Sequence, residues 1–282
     1  MTRTTDFSAV YQTIRRGSRL RFVNGIGVYS LPALDALPGV RHGFSARTGG
    51  ISAGCFSSLN LSFNRPEKRE NVMENYRLFC AAEGIPFERM VMDNYAHETN
   101  VLCVDGADAG RGYLTEPLPS CDGLVTNDPT ITLMTGHADC MAFFCADPVK
   151  RCIGLAHAGW RGALERIGAN LIGAMRGRFG SDPADVIVGI GPSICPDCFE
   201  VGRNVAELFE RAYPGVPCVI SRAGEKAHVD LWMVACRQFL EAGVRPEHFS
   251  LSGVCTVETP ILYSHRRDKG QTGGMAAYLR LM

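Results

Sequence analysis

Residues 131–162, ITLMTGHADCMAFFCADPVKRCIGLAHAGWRG, constrain the fold more than any other stretch. They contain two short apolar runs, and a strand buried on both faces reads as such a run. Each run carries residue types foreign to a plain core: His137, Asp139 and Cys140 in the first, His157 at the end of the second. Two buried strands are expected, then a turn at Gly159 into a long helix. The polar side chains suggest that Cys140 and His157 are metal ligands, with His97 arriving from upstream as a third. Spacing gives this little support, because the three lie too far apart for a local zinc-finger pattern. Three unrelated core or loop residues are the alternative. The donor chemistry argues better: two neutral imidazoles and a thiolate suit zinc and leave a fourth tetrahedral position open. Such a set can also take copper.

The composition narrows the setting. Apolar residues make up 46% and charged residues 21% of the 282, near the average for globular proteins. Lys+Arg and Asp+Glu balance at 29 each, so no global field recruits nucleic acid or an anionic membrane. The first residues lack the apolar core of a secretory signal. The longest apolar stretch is broken by His137, Asp139 and Asp147, too polar for a membrane span. A cytoplasmic location is expected, with the 12 cysteines not paired as disulfides. Cys80, Cys145, Cys152 and Cys236 read as small buried hydrophobes. Cys195-x-x-Cys198 has no second pair for structural zinc and no helix start of the thioredoxin type. It reads as a loop feature, with Cys198 lining the pocket.

Residues 1–20 are expected to form a short helix or loose arm, and 21–282 a single domain. Residues 21–31 alternate as a strand, and 40–62 read as a strand entering a glycine-permissive loop with Arg47 before Gly49-Gly50. A helix spans 70–84, and two short strands within 90–104 flank His97. Residues 161–179 place Leu164, Ile167, Leu171, Met175 and Phe179 on one helical face. Strands are expected at 184–190, 249–254, 261–263 and 276–281, and helices at 201–213 and 231–242, the latter capped by Asp230. The helix start after Gly159, with Arg161, favours an anion. Arg47 and a basic glycine-rich loop (Arg266, Arg267, Lys269) are further phosphate candidates.

Six ordered motifs carry a resemblance. They are His42-Gly43-Phe44-Ser45 with Arg47 and Gly49-Gly50; Leu59-Asn60-Leu61; Ala138-Asp139-Cys140; the run from Ala156 to Gly162; Gly189-Ile190-Gly191-Pro192 with Cys198 and Glu200-Val201-Gly202; and Ser264-His265-Arg266-Arg267-Asp268. Over about residues 40–280 the chain resembles the YfiH/laccase-domain family of purine nucleoside phosphorylases, also called polyphenol oxidases. The resemblance implies an α+β sandwich of mixed sheets with flanking helices, related to a group of cysteine hydrolases. It implies a zinc site at His97, Cys140 and His157, which would also be the catalytic residues. Phosphorolysis of adenosine, inosine and methylthioadenosine, and deamination of adenosine, are the implied activities. Arg47, Asn60, Arg161 and Arg266 would bind nucleoside and phosphate, in a monomer or homodimer. Tyr95, His137, Ala142 and Gly274 stand where the family more often has Gln, Thr, Pro and Arg; His137 is an alternative ligand.

Three other readings stay open. Copper oxidation would use the same His₂Cys set, although the seven His contain no His-x-His pair. A cysteine amidase acting on cell-wall precursors would use Cys140 as nucleophile and His157 as base. A non-enzymatic binding module would turn over no nucleoside.

Overall fold

The computed structural model describes residues 7–221 and 225–282. Residues 1–6 of the expected arm lie outside these, but its remainder is docked rather than loose. Helix α1 (Phe7–Thr13) buries Phe7 and Tyr11, and β1 (Arg15–Arg16) pairs in parallel with residues 250–251. The single strand expected over 21–31 is a hairpin, β2 (Arg19–Val23) and β3 (Ile26–Ser30). It reverses at Asn24-Gly25, both at positive φ (52° and 82°), the backbone of a type I′ turn. After α2 (Pro32–Asp35), β4 (Val40–Ser45) enters the expected loop. Helix α3 (Arg69–Glu83) stops at Gly84, left-handed at φ 63°. Strands β5 (Met90–Met92) and β6 (Val101–Cys103) flank His97 as expected, and β7 (Gly123–Thr126) comes next.

The apolar region contains three strands, not two: β8 (Thr132–His137), β9 (Met141–Asp147) and β10 (Cys152–Ala158). Asp139, at φ 85°, breaks the first run. The long helix is likewise split, at left-handed Arg166, into α4 (Trp160–Leu164) and α5 (Ile167–Phe179). Beyond β11 (Ile187–Ile190) come β12 (Glu200–Gly202), α6 (Arg203–Ala212), β13 (Val219–Ser221) and β14 (Lys226–Val229). Helix α7 (Leu231–Glu241) is capped as expected, Asp230 accepting the Met233 N–H at 2.9 Å. The chain closes with β15 (Phe249–Leu251) and β16 (Met275–Leu281). Residues 261–263 are turn, not strand.

Two large mixed sheets result, ordered β1-β15-β11-β9-β10-β7-β6 and β2-β3-β4-β16-β8-β5, with β12-β14-β13 a small third. Side-chain alternation explains their stacking. From β9, Ala142, Phe144 and Ala146 meet Phe44, Leu133 and Leu279 of the six-stranded sheet. Met141, Phe143 and Cys145 face the other way, onto Leu171, Met175 and Phe239 of α5 and α7. The outer face of the six-stranded sheet packs Val28, Met134 and Tyr278 under Tyr76 and Phe79 of α3. The expected α+β sandwich is thus a helix–sheet–sheet–helix stack. Among the described residues no helix is long and apolar enough to cross a membrane. Among the connections that pass from one large sheet to the other are β5–β6 and β8–β9. His97 and Cys140 lie on them.

His42, in β4, accepts the Leu31 N–H at Nε2 (2.8 Å). Burial, which outweighs the attraction of Asp35, lowers its pKa to about 4. The unfolded chain protonates this group near 6.5, so its stability contribution is intact above that pH and is lost as pH falls toward 4, by roughly 1.4 kcal/mol per unit. In chelator-treated protein the urea midpoint should fall between pH 7 and pH 5. His42→Gln should flatten that fall, and an equally steep profile would show that His42 is not responsible.

Candidate metal centre

Asp122, directly before β7, assembles the centre. Its buried carboxylate accepts the backbone N–H groups of Ala96, His97 and Glu98 at 3.2, 3.0 and 2.9 Å. These bonds hold the His97 loop in shape with His97 at φ 61°. The same carboxylate lies 3.2 Å from His157 Nδ1, and the Asp122 carbonyl accepts the His157 N–H at 2.8 Å. That leaves Nε2 as the free ring nitrogen of His157. Cys140 occupies the turn into β9, and β9 pairs with β10 so that His157 lies opposite Ala142. The ligand atoms of His97, Cys140 and His157 lie within 4.8 Å of one another. Gly159 leaves them room: a Cβ there would sit 3.1 Å from His97 Nδ1 and 3.3 Å from Cys140 Sγ, a tight fit.

One imidazole of the group is neutral, and the other holds a proton that a metal would displace. Burial and the neighbouring His157 lower the pKa of His97, keeping a neutral imidazole. Burial opposes charge on His157 too, but the Cys140 sulfur and the Asp122 carboxylate overcome it and raise the group to about 10. Burial would raise Asp122, yet the bonds from His157, Glu98 and Ala96 hold it below the usual carboxylate range. Two imidazoles and a sulfur with a carboxylate behind one ring is a donor set that fits zinc. His137 is turned elsewhere: Nε2 meets Thr135 Oγ1 at 2.8 Å and Nδ1 the Cys140 carbonyl at 3.2 Å. It braces Cys140 and presents no free nitrogen.

The three side chains open on a cavity of about 460 Å³, walled by Tyr95, Trp160 and Phe199 and by Arg65, Arg161 and Arg266. The Arg161 guanidinium stacks 4.3 Å from the Trp160 ring. Arg266 donates to the Cys198 carbonyl at 3.0 Å, and its backbone N–H reaches Asp139 Oδ2 at 2.7 Å. Asp139 Oδ1 accepts the Thr256 hydroxyl at 2.6 Å.

Other candidates lie apart from the cavity wall. Arg47 stacks 4.4 Å from the Tyr263 ring and donates to the Ser57 carbonyl. Asn60 is fully buried, donating to Glu67 and accepting from Ser62 and Gly274 N–H, so it ties loops together. Arg267 is spent on the carbonyls of Thr256, Val257, Thr259 and Leu262 and on Asp268. The helix start after Gly159 is weaker than expected, because α4 has only five residues. Cys198 contributes its carbonyl to Arg266, while its neighbour Phe199 forms the wall. Sequence reasoning missed Asp122 and Arg65. Arg65 carries no motif signal, and Asp122 shows only as a lone acid before an apolar run.

The fold is a two-sheet α+β sandwich with a candidate His–Cys–His metal site at the edge of its cavity. The chain belongs to the family described as multi-copper polyphenol oxidoreductase laccase, whose sequence profile matches residues 41–282. It is 33% identical over 243 residues to "Purine nucleoside phosphorylase YlmD" of Bacillus subtilis, covering 84% of this chain and 87% of that protein. It is 37% identical over 242 residues to "Purine nucleoside phosphorylase" of Deinococcus radiodurans, covering 86% and 89%. The crystal structure of YlmD from Geobacillus stearothermophilus superposes with a TM-score of 0.87 at 30% identity, over 93% of this chain and 97% of that one.

Asp122→Asn should weaken zinc binding by about 10–100-fold, the usual cost of losing a carboxylate behind a ligating histidine. Competition with a chromophoric chelator measures this. Arg47→Ala, remote from the centre, should leave the affinity unchanged.

Proposed function

We propose that the protein is a zinc-dependent purine nucleoside phosphorylase acting on adenosine, inosine and methylthioadenosine, which also deaminates adenosine. The observation that carries this reading is the convergence of His97, Cys140 and His157 on an arginine- and aromatic-lined cavity of about 460 Å³. That volume falls in the range of small-molecule sites. The names of the Bacillus and Deinococcus relatives support it. Bound in this donor set, zinc supplies Lewis acidity and activates water near neutral pH.

The chain's own groups supply binding and orientation. Arg65, Arg161 and Arg266 offer planar forks of N–H donors for phosphate. Tyr95, Trp160 and Phe199 offer flat apolar surface for a purine. Burial raises the pKa of Tyr95, so its hydroxyl keeps its proton; Asn64 donates to that oxygen at 3.3 Å, freeing the O–H to point at base or sugar. In phosphorolysis a phosphate oxygen bonds to the anomeric carbon as the carbon–N9 bond breaks, giving the free base and ribose 1-phosphate. In deamination, water replaces the purine amino group and ammonia leaves.

A second reading has its own observation. Cys140, His157 and Asp122 stand in the order nucleophile, base and orienting acid, as a cysteine hydrolase requires. It would pass through an acyl-thioester at Cys140 and survive removal of metal.

Chromatography of adenosine incubated with the protein separates the two. The expected result is adenine formed only with phosphate and inosine formed without it, both lost on chelation and in Cys140→Ala. Arg161→Ala should raise the KM for phosphate by about 10–100-fold, the worth of one charged hydrogen bond of ~1.5–3 kcal/mol. Turnover that survives complete metal removal, or an acyl group trapped on Cys140, would favour the hydrolase.

A further inference from the structure

We propose that Cys195, Cys198, Cys255 and Glu258 form a second zinc site, structural in role, that clips together the two loops behind the cavity wall. It shares no residue with the first centre, and it stands whether or not the phosphorylase reading holds.

The sequence shows only half of this cluster. In the turn after β11, the N–H groups of Cys198 and Phe199 both donate to the Cys195 carbonyl, at 3.1 and 2.9 Å. This folds the CxxC into a knuckle with its sulfurs close together. The missing pair comes from residues 255–258, where the Thr259 N–H returns to the Cys255 carbonyl at 3.1 Å. One such turn brings Cys255 and Glu258 to the same side. The loops meet at a bridge between Ser193 and Cys255, and the Cys195 N–H points at Cys255 Sγ from 3.4 Å. Glu258 Oε1 lies 3.9 Å from Cys195 Sγ and 3.7 Å from Cys198 Sγ. All four ligand atoms fall within 4.8 Å of one another.

Tetrahedral zinc with Zn–S of ~2.3 Å and Zn–O of ~2.1 Å needs edges of about 3.5–3.8 Å. The atoms are therefore already near ligating separation. Three sulfurs and one carboxylate select zinc over a hard oxygen-seeking cation. A dithiol redox pair would need neither the third sulfur nor the acid. Cys195 and Cys255 are buried while Glu258 is exposed, so the cluster has a closed side and an entrance.

The location supplies the role. Ile194, next to Cys195, donates its N–H to the Asp139 carbonyl at 2.9 Å. Thr256, next to Cys255, gives its hydroxyl to Asp139, and the Cys198 carbonyl holds the Arg266 guanidinium. Zinc here would fix the supports of Asp139 and Arg266 together.

The test is zinc stoichiometry by mass spectrometry on the full chain purified from zinc-replete cells. The wild type should carry two zinc per chain, Cys140→Ala one, Cys198→Ser one, and the double variant none. With cobalt in place of zinc, Cys198→Ser should lose part of the near-ultraviolet thiolate charge-transfer band that Cys140→Ala retains. Because a cysteine variant can misfold, Glu258→Gln, at an exposed ligand, provides the second arm: the same circular dichroism, but at least tenfold faster loss of one zinc to a chelator. One zinc per wild-type chain, abolished by Cys140→Ala alone, would overturn the proposal. So would thiol counts showing a Cys195–Cys198 disulfide in zinc-replete protein, or a Glu258→Gln variant that releases both zinc ions at the wild-type rate.

Discussion

The centre depends on one carboxylate. Asp122 is fully buried and would be costly to ionise alone, but it meets three backbone N–H groups and one imidazole. The N–H groups belong to the loop carrying His97, and the imidazole is His157. A single anion therefore fixes the backbone of one ligand and the ring of another. Losing it would release three part-buried backbone N–H groups and leave the buried His157 ring without its acceptor. No apolar contact could replace it, because packing has no preference between the two nitrogens of a ring.

The sandwich decides where that carboxylate can act. Strands β9 and β10 are buried on both faces, with Phe143 in one core and Phe144 in the other. A one-residue slip would exchange those cores, so the register is strongly fixed. His157 near the end of β10 and Cys140 just before β9 inherit that precision. The His97 loop lacks it, since β5 and β6 have three residues each and belong to different sheets. The Asp122 bonds supply the missing restraint.

Much of this was legible in the sequence, for physical reasons. Cys140 and His157 stood out by chemistry and His97 only in their company, and α3 and α7 by their terminators Gly84 and Asp230. The hairpin at Asn24-Gly25 carried its turn signal but hid inside an alternating run. The break at Arg166 had no such signal: a non-glycine residue adopts left-handed backbone there, and propensity does not foretell it. Arginines were the hardest to place. Arg47 and Arg65 are equally plausible from composition, and only tertiary stacking on Tyr263 takes Arg47 from the cavity. Asp122 was invisible because most of its partners are backbone groups, which every sequence has, and its one side-chain partner, His157, is distant in the chain.

Asp139 ties the cavity wall to the centre. Its carbonyl holds Ile194, its carboxylate oxygens hold Thr256 and Arg266, and its peptide leads directly into Cys140. Positive φ at this residue lets the chain point the carboxylate toward the wall while the next residue turns its sulfur to His97 and His157. A shift of either loop would therefore reach Cys140 through one peptide bond. The arginine that closes one side of the cavity and the sulfur at the centre share a single support. A ligand pulling on Arg266 would work against the same carboxylate that steadies the turn bearing Cys140.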